Sequence, residues 1–171
     1  MTFQRKLVCA AILVCSHACA AAQDLDRVPG PPGRPGGSIV VGQRAEPKTL
    51  NPVTAIDAPS REVIRRMMAD LVTIDRASQN TAPGLARSWS ISNDGLHYRL
   101  NLRRGLRFSD GHPFDADDVL FTFRVLLDDR IQSPQRDLLL VEGKPIRVSK
   151  SDAHTVRVDF PKPYGAAERI F

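Results

Sequence analysis

The chain is poor in cysteine, with three in 171 residues. Cys9, Cys15 and Cys19 all lie close to the N-terminus, and the rest of the sequence has none. If the N-terminal segment is removed on export, the mature protein has no disulfide, no thiol nucleophile and no thiolate metal ligand. Chemistry that depends on a thiol is therefore excluded for the mature chain.

Motifs of several functional classes are also missing from the sequence. It has no Gly-Lys-Ser/Thr loop for nucleotide phosphates, no Gly-x-Ser-x-Gly nucleophile elbow and no His-Glu-x-x-His metal spacing. Beyond the N-terminal segment the histidines are isolated from one another, at positions His97, His112 and His154. The chain is therefore not the ATPase of a transporter, and we predict no metal site and no cofactor.

The net charge of +5 does not by itself indicate a nucleic-acid partner. Basic and acidic residues interleave along the chain, and no recognition helix or RNA-binding signature accompanies the excess of positive charge. We interpret the charge as a solvated, arginine-biased surface.

The first residues have the three parts of a signal peptide. Arg5 and Lys6 precede an apolar run at 7–14, and small residues follow it. The run is too short to span a bilayer, which takes about 20 residues. We therefore predict a cleaved signal peptide at 1–22, a periplasmic location and no integral membrane span. Cys19 offers lipid anchoring as an alternative, but the residues before it lack the usual aliphatic group.

A segment rich in proline and glycine follows at residues 23–37. It contains four prolines and four glycines and cannot bury enough apolar surface to order itself. We predict a flexible linker here, and a folded region over residues 38–171.

The start of the folded region predicts one strand and one helix. Ser38 to Gln43 is a compact apolar run, interpreted as a buried strand. A helix is predicted from Pro59 to Asp70 with Ser60 as its N-cap. Its predicted core-facing residues are Val63, Ile64, Met67 and Met68. Pro83 to Arg87 is predicted to form one helical turn.

The most informative stretch runs from Ser88 to Asp128. Two alternating runs on either side of Asn93-Asp94-Gly95 predict a β-hairpin with Trp89 in the core. A polar loop follows, and then a helix capped by Asp115, with Asp118 at the spacing of a capping box. The apolar face of this helix consists of Val119, Phe123, Leu126 and Leu127.

The C-terminal third predicts an irregular stretch and a second pair of strands. Residues 129–144 have no regular periodicity, whereas 146–148 and 156–158 alternate on either side of a turn. Residues 164–171 are interpreted as the beginning of a helix.

Three neighbouring carboxylates leave one catalytic alternative open. Asp115, Asp117 and Asp118 could serve as acid and base in a secreted hydrolase. The cap spacing favours a structural role, so we predict that the protein is not an enzyme.

Five groups of residues carry a resemblance to a known family. They are Glu46-Pro47-x-Thr49-Leu50-Asn51-Pro52, then Pro83-x-Leu85-Ala86-x-Ser88-Trp89, then Trp89-x-x-Ser92-x-Asp94-Gly95-x-x-Tyr98, then Leu102-Arg103-x-Gly105-x-x-Phe108-x-Asp110-Gly111-x-Pro113-Phe114-x-Ala116-x-Asp118-Val119, and finally Phe160-x-Lys162-Pro163-Tyr164. In this order they resemble the family 5 extracellular solute-binding proteins of bacterial ABC importers. The similarity covers nearly all of residues 38–164.

The resemblance implies an α+β fold of the type II periplasmic-binding-protein class, with two lobes hinged about the ligand. It implies a monomer that binds oligopeptides or dipeptides and presents them to permease subunits served by separate ATPase subunits. Nickel, haem and oligosaccharide are alternative ligands. The loop of Arg44, Ala45 and Glu46 would border the ligand cleft. Alternatively, Glu46 is an ordinary solvated acid on a loop.

The resemblance also implies that much of the family's fold lies outside this sequence. Family members run to several hundred residues, and residues 38–171 correspond to the first strand of the large lobe plus a small inserted subdomain. We therefore expect a truncated chain that does not hold a ligand alone.

Overall fold

The computed structural model describes residues 33–34 and 36–171. The predicted signal peptide, Cys19 and most of the predicted linker lie outside the described residues. The elements in chain order are α1 (Ala58–Met67), β1 (Val72–Ile74), β2 (Thr81–Pro83), β3 (Ala86–Ile91), β4 (His97–Leu102), α2 (Ala116–Leu127), β5 (Leu140–Val141), β6 (Lys144–Pro145), β7 (Arg147–Asp152) and β8 (Thr155–Asp159). Short 3-10 helices lie at Arg136–Leu139 and Ala167–Arg169.

A four-stranded antiparallel sheet in the order β3-β4-β8-β7 forms the centre of the fold. Strands β3 and β4 are the predicted hairpin, and Gly95 takes the left-handed conformation (φ +70°) that the turn requires. Strands β7 and β8 are the second predicted pair. Both hairpin predictions are confirmed.

One face of this sheet carries the hydrophobic core. Leu100 and Val156 are neighbours in one row across β4 and β8, and both are fully buried. Helix α2 packs on this face with Val119 and Phe123 buried, as its periodicity predicted. Alternate residues of a strand point to opposite sides, and on the other face Arg99 and Arg157 are exposed.

The residues after β8 cover the remaining part of the same face. Phe171 packs edge-on against Tyr98 and Phe160, with ring centroids 5.6 and 6.1 Å apart. Its carbonyl accepts hydrogen bonds from the backbone N–H groups of Leu71 (2.9 Å) and Val72 (3.3 Å). The segment thus joins the core to β1, although it forms a 3-10 turn and not the start of a longer helix.

The prediction of a buried strand at 38–43 was wrong. These residues are exposed and have no strand conformation; Val40 is 95% exposed. A strand needs a neighbour for its backbone hydrogen bonds, and none of the described strands pairs with this segment. The apolar pattern of residues 38–43 therefore did not indicate a strand, because no described strand pairs with them.

Helix α1 begins and ends earlier than predicted. Asp57 caps it, since its carboxylate accepts from the backbone N–H of Ser60 at 2.9 Å. The Ser60 hydroxyl instead accepts from the backbone N–H of Thr49 at 3.2 Å. The predicted packing of Met67 and Met68 was also wrong, because both are more than half exposed where the helix ends.

The predicted helical turn at 83–87 was wrong, because Pro83 ends β2, residues 84–85 form a bend and β3 begins at Ala86. The backbone N–H groups of Gly84 and Ala86 donate to the carbonyl of Leu71, and that of Leu85 donates to the carbonyl of Asp70. These long-range bonds hold the segment alongside residues 70 and 71. The stretch predicted as irregular contains one 3-10 helix and the two-residue hairpin β5–β6.

Candidate functional site

The predicted ligand-binding residues lie on an exposed stretch before α1. Arg44, Ala45 and Glu46 are all exposed. Within the described part of the chain, the Arg44 and Glu46 side chains take part in no hydrogen bond or ion pair. The structure does not bring them together with other polar groups, so their role stays a prediction.

The chain that follows this stretch is fixed by hydrogen bonds to a distant loop. The Ser133 hydroxyl donates to the carbonyl of Val53 at 2.7 Å, and the Gln135 side-chain amide donates to the carbonyl of Pro52. Ser133 is buried, which strengthens the constraint because a buried hydroxyl must find a partner. Residues 49–60 therefore form a fixed base from which the stretch carrying Arg44 and Glu46 extends.

The joined segments expose apolar side chains. Leu50 and Ile56 on one segment and Ile131 and Leu138 on the other are exposed. Scattered apolar residues are common on surfaces, but several on two linked segments offer contact area for another polypeptide or a ligand. Sequence reasoning missed this connection because the paired residues are 80 or more positions apart.

The three aspartates considered as catalytic groups have structural partners. Asp115 accepts from the backbone N–H of Asp117 at 2.7 Å, and Asp118 accepts from the backbone N–H of Asp115 at 2.9 Å. This is the predicted capping box. Asp117 pairs with Lys150 of β7 and thereby links α2 to the sheet. The group has the geometry of a helix start.

Glu168 makes a polar contact that the sequence did not reveal. Its carboxylate accepts from the Thr81 hydroxyl at 2.6 Å and from the indole Nε1 of Trp89 at 3.0 Å. Tyr98 lies beside it, and burial together with the Glu168 charge raises the pKa of the Tyr98 hydroxyl. Trp89 packs against the core as predicted, with its polar edge satisfied by Glu168. No local signal predicts the contact, since the partners are at least 79 residues apart.

A shallow depression of about 370 Å³ opens beside Glu168. Ile91, Tyr98 and Tyr164 form its apolar part, and Glu168 and Arg169 its charged part. Both Glu168 oxygens already accept hydrogen bonds from within the chain. These hydrogen bonds hold the C-terminal segment in place. The depression is too open to enclose a ligand.

His97 and His112 contact different neighbours. His97 contacts Asp159 through Nδ1 at 2.6 Å, and the His112 ring lies against Phe108. Among the described residues there is no group of three or more histidine, cysteine, aspartate or glutamate side chains placed to hold a metal ion. In the same part of the chain, no helix has the length and apolar character needed to cross a membrane.

Comparison with known proteins identifies relatives among peptide-binding proteins. The chain is 26% identical over 178 residues to the periplasmic murein peptide-binding protein MppA of Escherichia coli, covering 92% of this chain and 31% of the relative. It superposes on the ABC transporter substrate-binding protein CtaP of Listeria monocytogenes with a TM-score of 0.71 and 34% identity, covering 79% of this chain and 27% of that one. For Haemophilus influenzae OppA in complex with the peptide RPPGFSPFR the TM-score is 0.64 at 27% identity, covering 72% and 26%.

Other relatives are named for different ligands. Haem-binding protein A of Haemophilus influenzae is 40% identical over 81 residues, covering 44% of this chain and 14% of the relative. NikZ of Campylobacter jejuni, solved with Ni(L-His), superposes with a TM-score of 0.63 at 29% identity, covering 74% of this chain and 24% of that one. The chain spans less than a third of the length of MppA, CtaP and OppA.

The fold is therefore part of a type II periplasmic binding protein, as the sequence predicted. The family model for bacterial extracellular solute-binding proteins, family 5, middle region, matches residues 80–171, which are more than half of the chain. This chain belongs to the family 5 bacterial extracellular solute-binding proteins.

Proposed function

We propose that the chain is part of the substrate-binding component of an ABC importer and that it serves the uptake of oligopeptides or dipeptides from the periplasm. The observation that carries this proposal is the shared fold with the peptide complex of Haemophilus influenzae OppA. The names of MppA and of the Pseudomonas aeruginosa dipeptide-binding protein support the same ligand class.

The division of the chain follows from the sequence. Residues 1–22 act as the signal peptide, 23–37 as a flexible linker, and 38–171 as the N-terminal part of the solute-binding domain. Arg44, Ala45 and Glu46 border the ligand cleft, and the fixed base at residues 49–60 sets the point where that stretch ends. The matched part of the chain covers about a quarter of OppA, so most ligand contacts come from polypeptide that corresponds to the rest of OppA.

The protein binds and delivers its ligand without making or breaking a bond. Its family and its relatives are transport binding proteins. The carboxylates once considered as acid and base are occupied as helix cap and ion pair. A monomer presents the ligand to the permease, and separate subunits hydrolyse ATP. Nickel complexes, haem and oligosaccharides remain alternative ligands, the first two because relatives are named for them.

The first experiment is titration calorimetry of the mature chain with RPPGFSPFR and with mixed dipeptides and oligopeptides. We expect no binding tighter than micromolar, since a ligand enclosed by two lobes needs both of them. Submicromolar binding by this chain alone would show that it is a self-sufficient binding unit.

The second experiment replaces the corresponding segment of Haemophilus influenzae OppA with residues 38–171. The chimaera should retain RPPGFSPFR binding, and Glu46→Gln in it should weaken binding by about tenfold, equivalent to about 1.4 kcal/mol. Lys48→Gln, on the same stretch, is the matched control and should change it little. If the folded chimaera bound nickel–histidine or haem but no peptide, that result would contradict the proposal that the ligand is a peptide.

A further inference from the structure

The solvent face of the central sheet carries two arginines directly opposite each other. Arg99 on β4 is the register partner of Arg157 on β8. Both are exposed, while their chain neighbours Leu100 and Val156 are buried on the other face. Like charges in directly opposed positions of an antiparallel pair are destabilising, so this arrangement is unfavourable for folding alone.

Hydroxyl groups extend the same row on both sides. Ser90 on β3 pairs with Arg99, and Ser149 on β7 pairs with Arg157. Both serines are exposed. With strands about 4.8 Å apart, the row Ser90–Arg99–Arg157–Ser149 spans about 14 Å. The sheet therefore presents two guanidinium groups between two hydroxyl donors on one flat surface.

The carboxylates on this face have partners of their own. Asp159 contacts His97 at 2.6 Å and is the register partner of Arg147. Asp152 accepts from the backbone N–H of His154 at 2.8 Å. That bond lowers the Asp152 pKa first, and the nearby Arg99 charge lowers it further. The row itself holds two arginines and no carboxylate, so it carries net positive charge.

We propose that the row Ser90–Arg99–Arg157–Ser149 binds a phosphate group, free or esterified. A guanidinium fork donates two parallel hydrogen bonds to an oxyanion, and two forks match a group with several oxygens and up to two negative charges. The serine hydroxyls keep the surface on either side of the two forks polar. One fork satisfies a carboxylate, whereas a phosphate has enough oxygens to accept from both forks. The binding offsets the repulsion within the Arg99–Arg157 pair.

The test is a titration of the full mature chain with inorganic phosphate, in which NMR measures the backbone amide shifts. Sodium chloride keeps the ionic strength constant. Amide shifts on β4 and β8 should saturate with phosphate and not with chloride. Arg157→Gln should weaken phosphate binding by at least about tenfold. Arg76→Gln removes an exposed arginine from the turn between β1 and β2 and should leave binding unchanged. Equal weakening in both variants, or no saturable shift in wild type, would overturn the proposal.

A second variant and a second measurement distinguish phosphate recognition by the guanidinium fork from simple attraction by positive charge. Arg157→Lys keeps the charge and removes the fork, so it should bind phosphate more weakly than wild type; unchanged binding would contradict fork recognition. Without phosphate, Arg157→Gln should unfold at a higher denaturant midpoint than wild type, because the like-charge pair is gone. A lower midpoint would contradict the repulsion on which the argument rests.

Two vesicle arms distinguish the sources of the phosphate. Vesicles of phosphatidylcholine with phosphatidylglycerol are compared with vesicles of phosphatidylcholine alone in a flotation assay. Binding of wild type but not of Arg157→Gln to the anionic vesicles indicates a lipid ester, and binding to inorganic phosphate alone indicates the free ion. Absence of both overturns the proposal.

Discussion

The carboxylate of Glu168 receives the indole N–H of Trp89 at 3.0 Å and thereby fastens the C-terminal segment to the hairpin strand β3. Its second oxygen receives the Thr81 hydroxyl at 2.6 Å, which adds β2 to the same junction. Three parts of the chain thus meet at one half-buried side chain. The Phe171 ring and carbonyl complete the attachment on the other side of the 3-10 turn.

Glu168→Ala should lower the free energy of unfolding by about 1.5–3 kcal/mol, because it removes charge-assisted hydrogen bonds and leaves the Trp89 and Thr81 donors without their acceptor. Urea unfolding followed by Trp89 fluorescence measures the change. Glu62→Ala is the control: Glu62 forms an exposed i,i+4 pair with Arg66 and should contribute less than about 0.5 kcal/mol. Equal effects of the two substitutions would show that the junction adds no stability.

The Asp115 cap makes a separate contribution to α2. Asp115→Ala should cost about 1 kcal/mol, since the backbone N–H of Asp117 loses its acceptor at the helix start. Asp117→Asn removes only the charge of an exposed pair with Lys150 and should cost less than about 0.5 kcal/mol. Thermal unfolding of both variants checks the difference. A larger loss from Asp117→Asn would assign the dominant role to the ion pair.

The features that were predicted correctly depend on contacts close in sequence. The Asn93-Asp94-Gly95 turn and the Asp115–Asp118 box are set by the residues themselves, and the 3.6-residue pattern of α2 needs only one apolar surface to pack on. Residues 83–87 instead follow Asp70 and Leu71, whose carbonyls take their N–H groups. Local propensity could not indicate this pairing.

The predicted site was less accessible to sequence reasoning than the fold. Arg44 and Glu46 rested on a resemblance, and the described residues give them no polar partner. The Ser133–Val53 bond that fixes the neighbouring base joins residues 80 positions apart. Ser60 is another residue whose role depends on a contact more distant in sequence. Its hydroxyl accepts from the backbone N–H of Thr49, and Asp57 caps helix α1 instead.

Asp128 should titrate well below an ordinary aspartate. Hydrogen bonds from the Arg130 side chain at 2.7 Å and 3.0 Å, and then the one from the Arg130 backbone N–H at 2.9 Å, lower the Asp128 pKa from 3.8 to about 2. A depressed folded-state pKa contributes stability that is present above the unfolded value and lost as the pH falls from about 4 to about 2. Carboxylate chemical shifts measured by NMR against pH give the midpoint directly.

Arg130→Gln is the matched test for this titration. The Asp128 midpoint should rise towards 3.8 when the guanidinium is removed. Asp57 serves as an internal control, because its pKa is lowered mainly by the backbone N–H of Ser60 and should not change. An Asp128 midpoint that stays near 2 in the variant would assign the shift to the backbone N–H of residue 130 alone.

Gly84 is a position where an added methyl group should be poorly tolerated. A Cβ there would overlap the carbonyl oxygen of Asp70 and lie 3.0 Å from that of Leu71. Both oxygens belong to backbone that accepts the N–H groups of residues 84–86, so neither can move without breaking these bonds. Gly84→Ala should therefore lower the free energy of unfolding by about 1–3 kcal/mol.

Gly42→Ala is the control. Nothing lies within 4 Å of a Cβ at Gly42, and alanine restricts the unfolded chain more than glycine does, so the change should be neutral or slightly stabilising. Chemical denaturation of the two variants should separate them, and equal midpoints would mean that the strand connection yields to the methyl group without loss.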